Sequence, residues 1–204
     1  MNDAPSTAQD QMDLDTPNSS RARILRAAIT EFASRGFDGA RMDSIARLAQ
    51  LNKTLVYRHF KNKEGLFDKA LKYKFGGRYR TADAVPASLK QALEYWFRHS
   101  TDDPEFMTLL HQEAIKSDEI VHQQLREQYY KERLSDLVER QKKKQIDEAF
   151  DPRMMLLALS ALVMFPALFP QITKLISGKN PNDEEFKINW TQFLYALALR
   201  LEPN

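Results

Sequence analysis

The 204-residue chain contains no cysteine, six glycines and nine prolines. Without cysteine there is no disulfide, no thiolate metal site and no thiol nucleophile. So few glycines and prolines leave little material for the turns of an all-β fold. No lysine or arginine precedes Arg21 and no apolar run opens the chain, so no secretory signal is read there and a cytoplasmic protein is expected. No Ser-His-Asp spacing, phosphate-cradling glycine loop or His-Glu-x-x-His motif is found, so no catalytic activity is expected. His99, His111, Glu113 and His122 have histidine spacings of twelve and eleven, which put no two histidines one helical turn apart. No metal and no cofactor are therefore expected.

Hydrophobic residues make up 43% and charged residues 28%, a globular balance. The net charge of +2 hides an asymmetry: residues 1–19 carry −4, residues 20–80 carry +10 and residues 81–204 carry −4. A basic module of this size on an otherwise acidic protein points to a polyanion partner. Residues 1–18 are polar, acidic and without apolar period, as expected of a disordered tail.

The rest reads as all-α, with the 3.6-residue period nearly throughout. A first helix over 21–35 has Ile24, Leu25, Ala28, Ile29 and Phe32 as its apolar stripe, with Ser20 as cap and Gly36 as terminator. Short helices follow over 42–49 and, after the cap Asn52, over 53–60. A fourth opens near Asn62 and buries Leu66, Phe67, Ala70 and Leu71. The second and third, joined by a tight turn and preceded by the first, make a helix-turn-helix whose last helix can enter a major groove.

The run from Ile45-Ala46 through Leu51-Asn52-Lys53 and Val56-Tyr57-Arg58-His59-Phe60 to Lys63-Glu64-Gly65-Leu66-Phe67 resembles the signature of the TetR family of bacterial transcriptional regulators. Ile24-Leu25, Ala27-Ala28, Phe32 and Gly36-Phe37 are similar to that family's first helix. The likeness covers residues 21–70. It implies a helix-turn-helix domain over 19–66 and a helical effector-binding and dimerisation domain over 67–204, with about nine helices in all. The expected function is that of a DNA-binding repressor released by an effector; the alternative is a regulator without effector, controlled by a protein partner.

By the resemblance, Tyr57, Lys63 and His59 face the phosphates of double-stranded operator DNA. Lys63 also opens a helix, where free N–H groups favour an anion. Arg58 is the candidate base reader, because its fork matches guanine O6 and N7. Lys53 and Thr54 start the recognition helix and are placed to touch bases or phosphates. Three positions depart from the family pattern. Gln50 stands where glycine is usual in the turn, and Leu55 replaces a hydroxyl residue but can meet a thymine methyl. Arg41 follows Ala40 where a Thr-Ser pair usually caps the second helix, a poorer cap with the reach to keep a phosphate contact.

In the C-terminal part, residues 154–172 carry no charge over nineteen residues, long enough to span a membrane. Pro166, Pro170 and Gln171 argue against that, and no membrane partner is expected. The preferred reading is a helix buried on several sides, kinked or ended at Pro166. By the resemblance, this stretch and residues 186–201 form a homodimer interface, for which Leu162, Phe169, Trp190, Leu194 and Leu197 are the candidates. The resemblance also implies a pocket for a small hydrophobic or aromatic effector. Its candidate lining is Trp96, His99, Phe106 and Leu110, with His111, Tyr129, Met155 and Phe165.

Overall fold

The computed structural model describes residues 18–80, 85–116 and 120–203. The expected tail, apart from Asn18, lies outside the described residues. Ten helices and no strands occur among the described residues: α1 (Ser20–Gly39), α2 (Met42–Leu48), α3 (Lys53–His59), α4 (Lys63–Arg80), α5 (Leu89–Thr101), α6 (Pro104–Lys116), α7 (Gln123–Lys142), α8 (Pro152–Leu168), α9 (Pro170–Ser177) and α10 (Glu184–Arg200). They divide into two compact units. The first reaches Gly76 and takes in Gln112–Val121; the second comprises Gly77–His111 and His122–Asn204.

In the first unit, α1 is capped by Ser19, whose Oγ accepts from Ala22 N at 3.1 Å, one residue earlier than the sequence suggests. Its regular part ends where expected. Gly36 takes φ 72°, ψ 170°, a backbone region essentially reserved for glycine, and breaks the helix before a last turn. Ile24, Leu25, Ala28, Ile29 and Phe32 are all buried, as are Ile45, Val56, Leu66, Phe67, Ala70 and Leu71. Phe32 meets Phe67 edge-on at 5.2 Å, and Phe37 meets Phe67 at 5.3 Å. The end of α6 belongs to this unit too: Gln112 Nε2 donates to Phe32 O at 3.0 Å and Lys116 Nζ lies 3.8 Å from the Phe37 ring centre.

Helix α4 runs through Gly76 and Gly77 to Arg80. A glycine weakens a helix by about 1 kcal/mol without forbidding it.

In the second unit, α5 packs on α8 and α10, and α7 packs on α8. Leu93, Phe97, Leu137, Ile146, Met155, Leu159, Val163, Phe186 and Leu194 form the core. Asp151 caps α8, accepting from Arg153 N and Met154 N at 2.9 and 3.0 Å, with Pro152 in the first turn where its missing N–H is harmless. Pro166 lies inside α8 and does not end it. The break comes at Phe169 (φ −126°, ψ 62°), because Pro170 disfavours helical backbone in the residue before it. This break makes α9 a separate helix, bent 91° from α8. No single helix among the described residues is long and apolar enough to cross a membrane.

A polar strap joins α5 to α10. Tyr195 donates its hydroxyl to the Glu94 carboxylate, and Arg98 Nε binds Glu94 at 3.1 Å. The Tyr195 hydrogen bond, followed by Arg98, holds Glu94 below the usual carboxylate value of 4.5; the same bond raises Tyr195 above 10.0. A depressed carboxylate contributes stability that is present above its unfolded value and lost as pH falls through its folded one. A raised phenol contributes stability that is lost as pH rises through its folded value. Tyr195→Phe is therefore expected to lower stability by about 1 kcal/mol at neutral pH. The deficit should shrink below pH ~4 and above pH ~10, as read by denaturant unfolding across pH.

The turn between α2 and α3 is the strained point of the first unit. Gln50 has φ 53°, the conformation for which the sequence pattern prefers glycine. Leu51 N donates to Ala46 O at 2.9 Å and Gln50 N to Arg47 O at 3.0 Å, the paired bonds of a left-handed helix terminus. Gln50→Gly should therefore stabilise the protein by up to about 1 kcal/mol, since a side chain is disfavoured there. Thermal unfolding of the two proteins checks it; a loss of stability on Gln50→Gly would show that the glutamine side chain is itself needed.

Candidate nucleic-acid interface

Helix α3 is two turns long and owes its position to its ends. At its start, Asn52 Oδ1 accepts from Leu55 N at 2.7 Å. Before it, Arg23 of α1 donates through Nη2 to Ala49 O at 2.6 Å and Gln50 O at 3.2 Å, holding the turn's carbonyls against the first helix. Val56 and Phe60 are buried on the inner side. With that side fixed, Lys53, Thr54, Tyr57 and Arg58 all stand exposed on the other, and Tyr57 is 42% exposed despite its ring. Leu55 and His59, one turn apart, are half-buried at the margin of this face.

Two of the candidate contacts already have internal partners. Lys53 Nζ lies 2.7 Å from Asp43 Oδ1, and that hydrogen bond and charge raise the lysine's pKa above its ordinary value. Both side chains are more than half exposed, so the pair is screened and can be exchanged for a phosphate. Lys63 is half-buried: its Nζ reaches back to Asp38 O at 3.3 Å and Ala40 O at 3.4 Å, and lies 4.7 Å from the Phe37 ring centre. Its ammonium is thus anchored at the end of α1 with a donor to spare. Asn62 Oδ1 caps α4 by accepting from Gly65 N at 2.8 Å.

Arg41 is exposed at the start of α2 and gives that helix no side-chain cap. Its backbone N–H instead donates to Glu31 Oε1 at 3.3 Å, and the same carboxylate oxygen lies 3.5 Å from Arg35 Nε. Glu31 is only 3% exposed, so a buried carboxylate takes up the cap residue's own N–H. Sequence reasoning missed Arg23, Glu31 and Asp43 as parts of the interface. Their partners are ten or more residues away, beyond the reach of any helical period.

The aromatic candidates of the second unit fall into separate groups. Trp96 meets His99 at 5.9 Å and Tyr129 at 5.9 Å, and Tyr95 lies 4.0 Å from His99 with the rings tilted. His111 and Phe165 both touch Phe169, at 5.9 and 5.2 Å. Phe106 and Met155 are buried, and Leu110 is half-buried.

The dimer candidates differ in exposure within one chain, and Leu194 is the most buried of them. It is 0% exposed and part of the second unit's core. Trp190 and Leu162 also turn to that core, with Trp190 Nε1 donating to Leu162 O at 3.3 Å. Leu197 and Phe169 are half-buried. The apolar side chains on the outer stripes are Met154, Leu157 and Phe165 of α8, with Ile188, Phe193 and Leu199 of α10. Within one chain α8 is covered on its core side and carries this outer apolar stripe uncovered.

Residues 24–70 match the bacterial regulatory proteins of the tetR family, and residues 86–197 match the tetracyclin repressor-like C-terminal domain. The chain is 28% identical over 164 residues to the HTH-type transcriptional repressor SCO4008 of Streptomyces coelicolor, covering 79% of this chain and 85% of that one. It shares its fold with the transcriptional regulator SCO4942 of the same organism (TM-score 0.74, 25% identity, 88% and 98% of the two chains). The FadR regulator of Bacillus subtilis, solved in complex with stearoyl-CoA, has the same fold at TM-score 0.65 and 18% identity, over 86% and 97% of the chains. With a helix-turn-helix of this geometry and a C-terminal domain match that alone spans more than half of the chain, the protein belongs to the TetR family and is a DNA-binding transcriptional regulator.

Proposed function

We propose that the protein is a repressor that binds a pseudo-palindromic operator as a homodimer and is released by a small effector. The exposed row Lys53, Thr54, Tyr57 and Arg58, on a helix whose opposite side is locked, carries the DNA part of this reading. Tyr57, His59, Lys63 and Arg41 position the phosphates; Arg58 reads a base, with Thr54, Lys53 and the Leu55 methyl groups beside it. The apolar outer stripes of α8 and α10 support a two-fold contact that sets two copies of α3 at successive major grooves.

Effector control rests on the likeness in fold to a regulator that holds stearoyl-CoA. The effector must bind the DNA-incompetent arrangement more tightly than the DNA-bound one, or it shifts nothing. Helices α4 and α6 are placed to carry the change, because each contributes residues to both units.

Selection from random duplex DNA with salt titration tests the reading. A pseudo-palindrome should be enriched; weak binding with no enriched sequence would overturn it. With the operator known, Tyr57→Ala or Lys63→Ala should weaken binding about equally on all sequences, and Lys63→Ala should reduce the salt slope by about 1. Arg58→Ala should cost about 1–3 kcal/mol and relax preference at one base of each half-site. An even loss across sequences would make Arg58 a phosphate contact instead.

The dimer reading has its own check. Leu157→Asp with Leu199→Asp places charges on both outer stripes without touching the core. Sedimentation should show a monomer and operator affinity should fall at least about tenfold, since each monomer holds one half-site. A dimer unaffected by both substitutions would move the interface elsewhere.

A further inference from the structure

Tyr129, Arg133 and Leu137 are spaced four apart on α7 and share one side of it. Leu137 is buried in the core of the second unit, so this is the inward side. Arg133 therefore stands where an apolar residue is expected, and its side chain is only 19% exposed. Its Nη1 lies 3.2 Å from Asp136 Oδ2, but its Nε is buried and has no acceptor among the described residues. A buried donor left without an acceptor is uncommon in proteins and unfavourable.

Arg140, two turns further on, lies within electrostatic reach of the pair. Burial is the main influence on it and lowers its guanidinium pKa; Asp136 attracts it and Arg133 repels it. Arg133 thus pairs with a carboxylate that is itself 54% exposed, with a second, partly desolvated guanidinium within electrostatic reach. The excess positive charge sits beside an aromatic wall. Arg133 Cζ lies 5.6 Å from the Tyr129 ring centre, Tyr129 meets Trp96 edge-on at 5.9 Å, and Trp96 meets His99 at 5.9 Å.

We propose that Arg133, supported by Arg140, is an anion-recognition site for the carboxylate or phosphate of a small organic acid whose apolar body lies against Trp96 and Tyr129. The free Nε edge of the Arg133 fork suits a planar carboxylate or two phosphate oxygens, and the Asp136 contact through Nη1 holds that fork in place. Residues 81–204 carry a net −4, which favours a small acid here over a nucleic acid. The proposal deepens the effector reading and rests on it: the releasing molecule would be an anion with an apolar body.

The test uses the full-length protein and calorimetric titration at constant ionic strength. The probes are benzyl, naphthyl and decyl compounds, each as carboxylate, phosphate and alcohol, with inorganic phosphate alone as a further arm. At least one acid should bind saturably and about tenfold or more tighter than its alcohol, the gain of a charge-assisted hydrogen bond. The carboxylate and phosphate arms identify which head group is preferred. Arg133→Gln should abolish the preference for acid while leaving the alcohol's affinity within about twofold. Arg133→Lys keeps the charge without the fork and should give an intermediate preference, which preserves the test if the glutamine variant fails to fold.

Equal binding of acid and alcohol, a preference that survives in Arg133→Gln, or no saturable binding of any acid would each overturn the proposal. Operator binding without ligand is measured alongside. Loss of acid preference with operator binding intact sinks this site alone. An acid that binds through Arg133 but leaves operator affinity unchanged keeps the site and sinks its role as effector site.

Discussion

A helix of seven residues does not hold itself in water, because nucleation outweighs the few hydrogen bonds it gains. The recognition helix α3 is of that length, so its orientation depends on what grips its ends. The grip is the turn at residues 49–52. Arg23 binds its carbonyls, Gln50 accepts a left-handed backbone, and Asn52 caps the helix that follows. Val56 and Phe60 then fix the rotation about the helix axis, and rotation decides which side chains meet a groove. The DNA-reading face is thus set by contacts made behind it.

The same logic gives several charges of the basic module a structural task. Arg23 supports the turn, and Lys63 anchors the end of α1 from its position at the start of α4. Glu31 receives the N–H of Arg41 at the start of α2. A net charge counted along the chain measures the field that attracts DNA. It does not say which cations already have a partner within the chain, as Lys53 has in Asp43.

The second unit is organised by helices with two working sides. α8 and α10 bury one stripe against α5 and leave another apolar stripe outside, Met154, Leu157 and Phe165 on one, Ile188, Phe193 and Leu199 on the other. α7 follows a different rule, with an arginine on its inward stripe between Tyr129 and the core residue Leu137. A charge placed inward without full pairing is unfavourable for the fold alone, which is why it draws attention as a binding feature.

The sequence by itself determined the all-helical class, the helix-turn-helix and the apolar stripes of α1 and α4, because these follow from periods and caps within a few residues. It also marked Gln50 as the anomaly of the turn, since only a few residue types adopt that backbone readily. It left open whether Pro166 kinks or ends α8; the helix runs past Pro166, and steric conflict before Pro170 puts the break at Phe169. It did not separate the core residue Leu194 from the half-buried Trp190 on α10, because an apolar residue on a two-sided helix looks the same whichever side it serves. Only the tertiary structure decided which stripe is core, which lysine is already paired and which arginine is buried. Each of those depends on neighbours brought close by packing, and no local spacing encodes them.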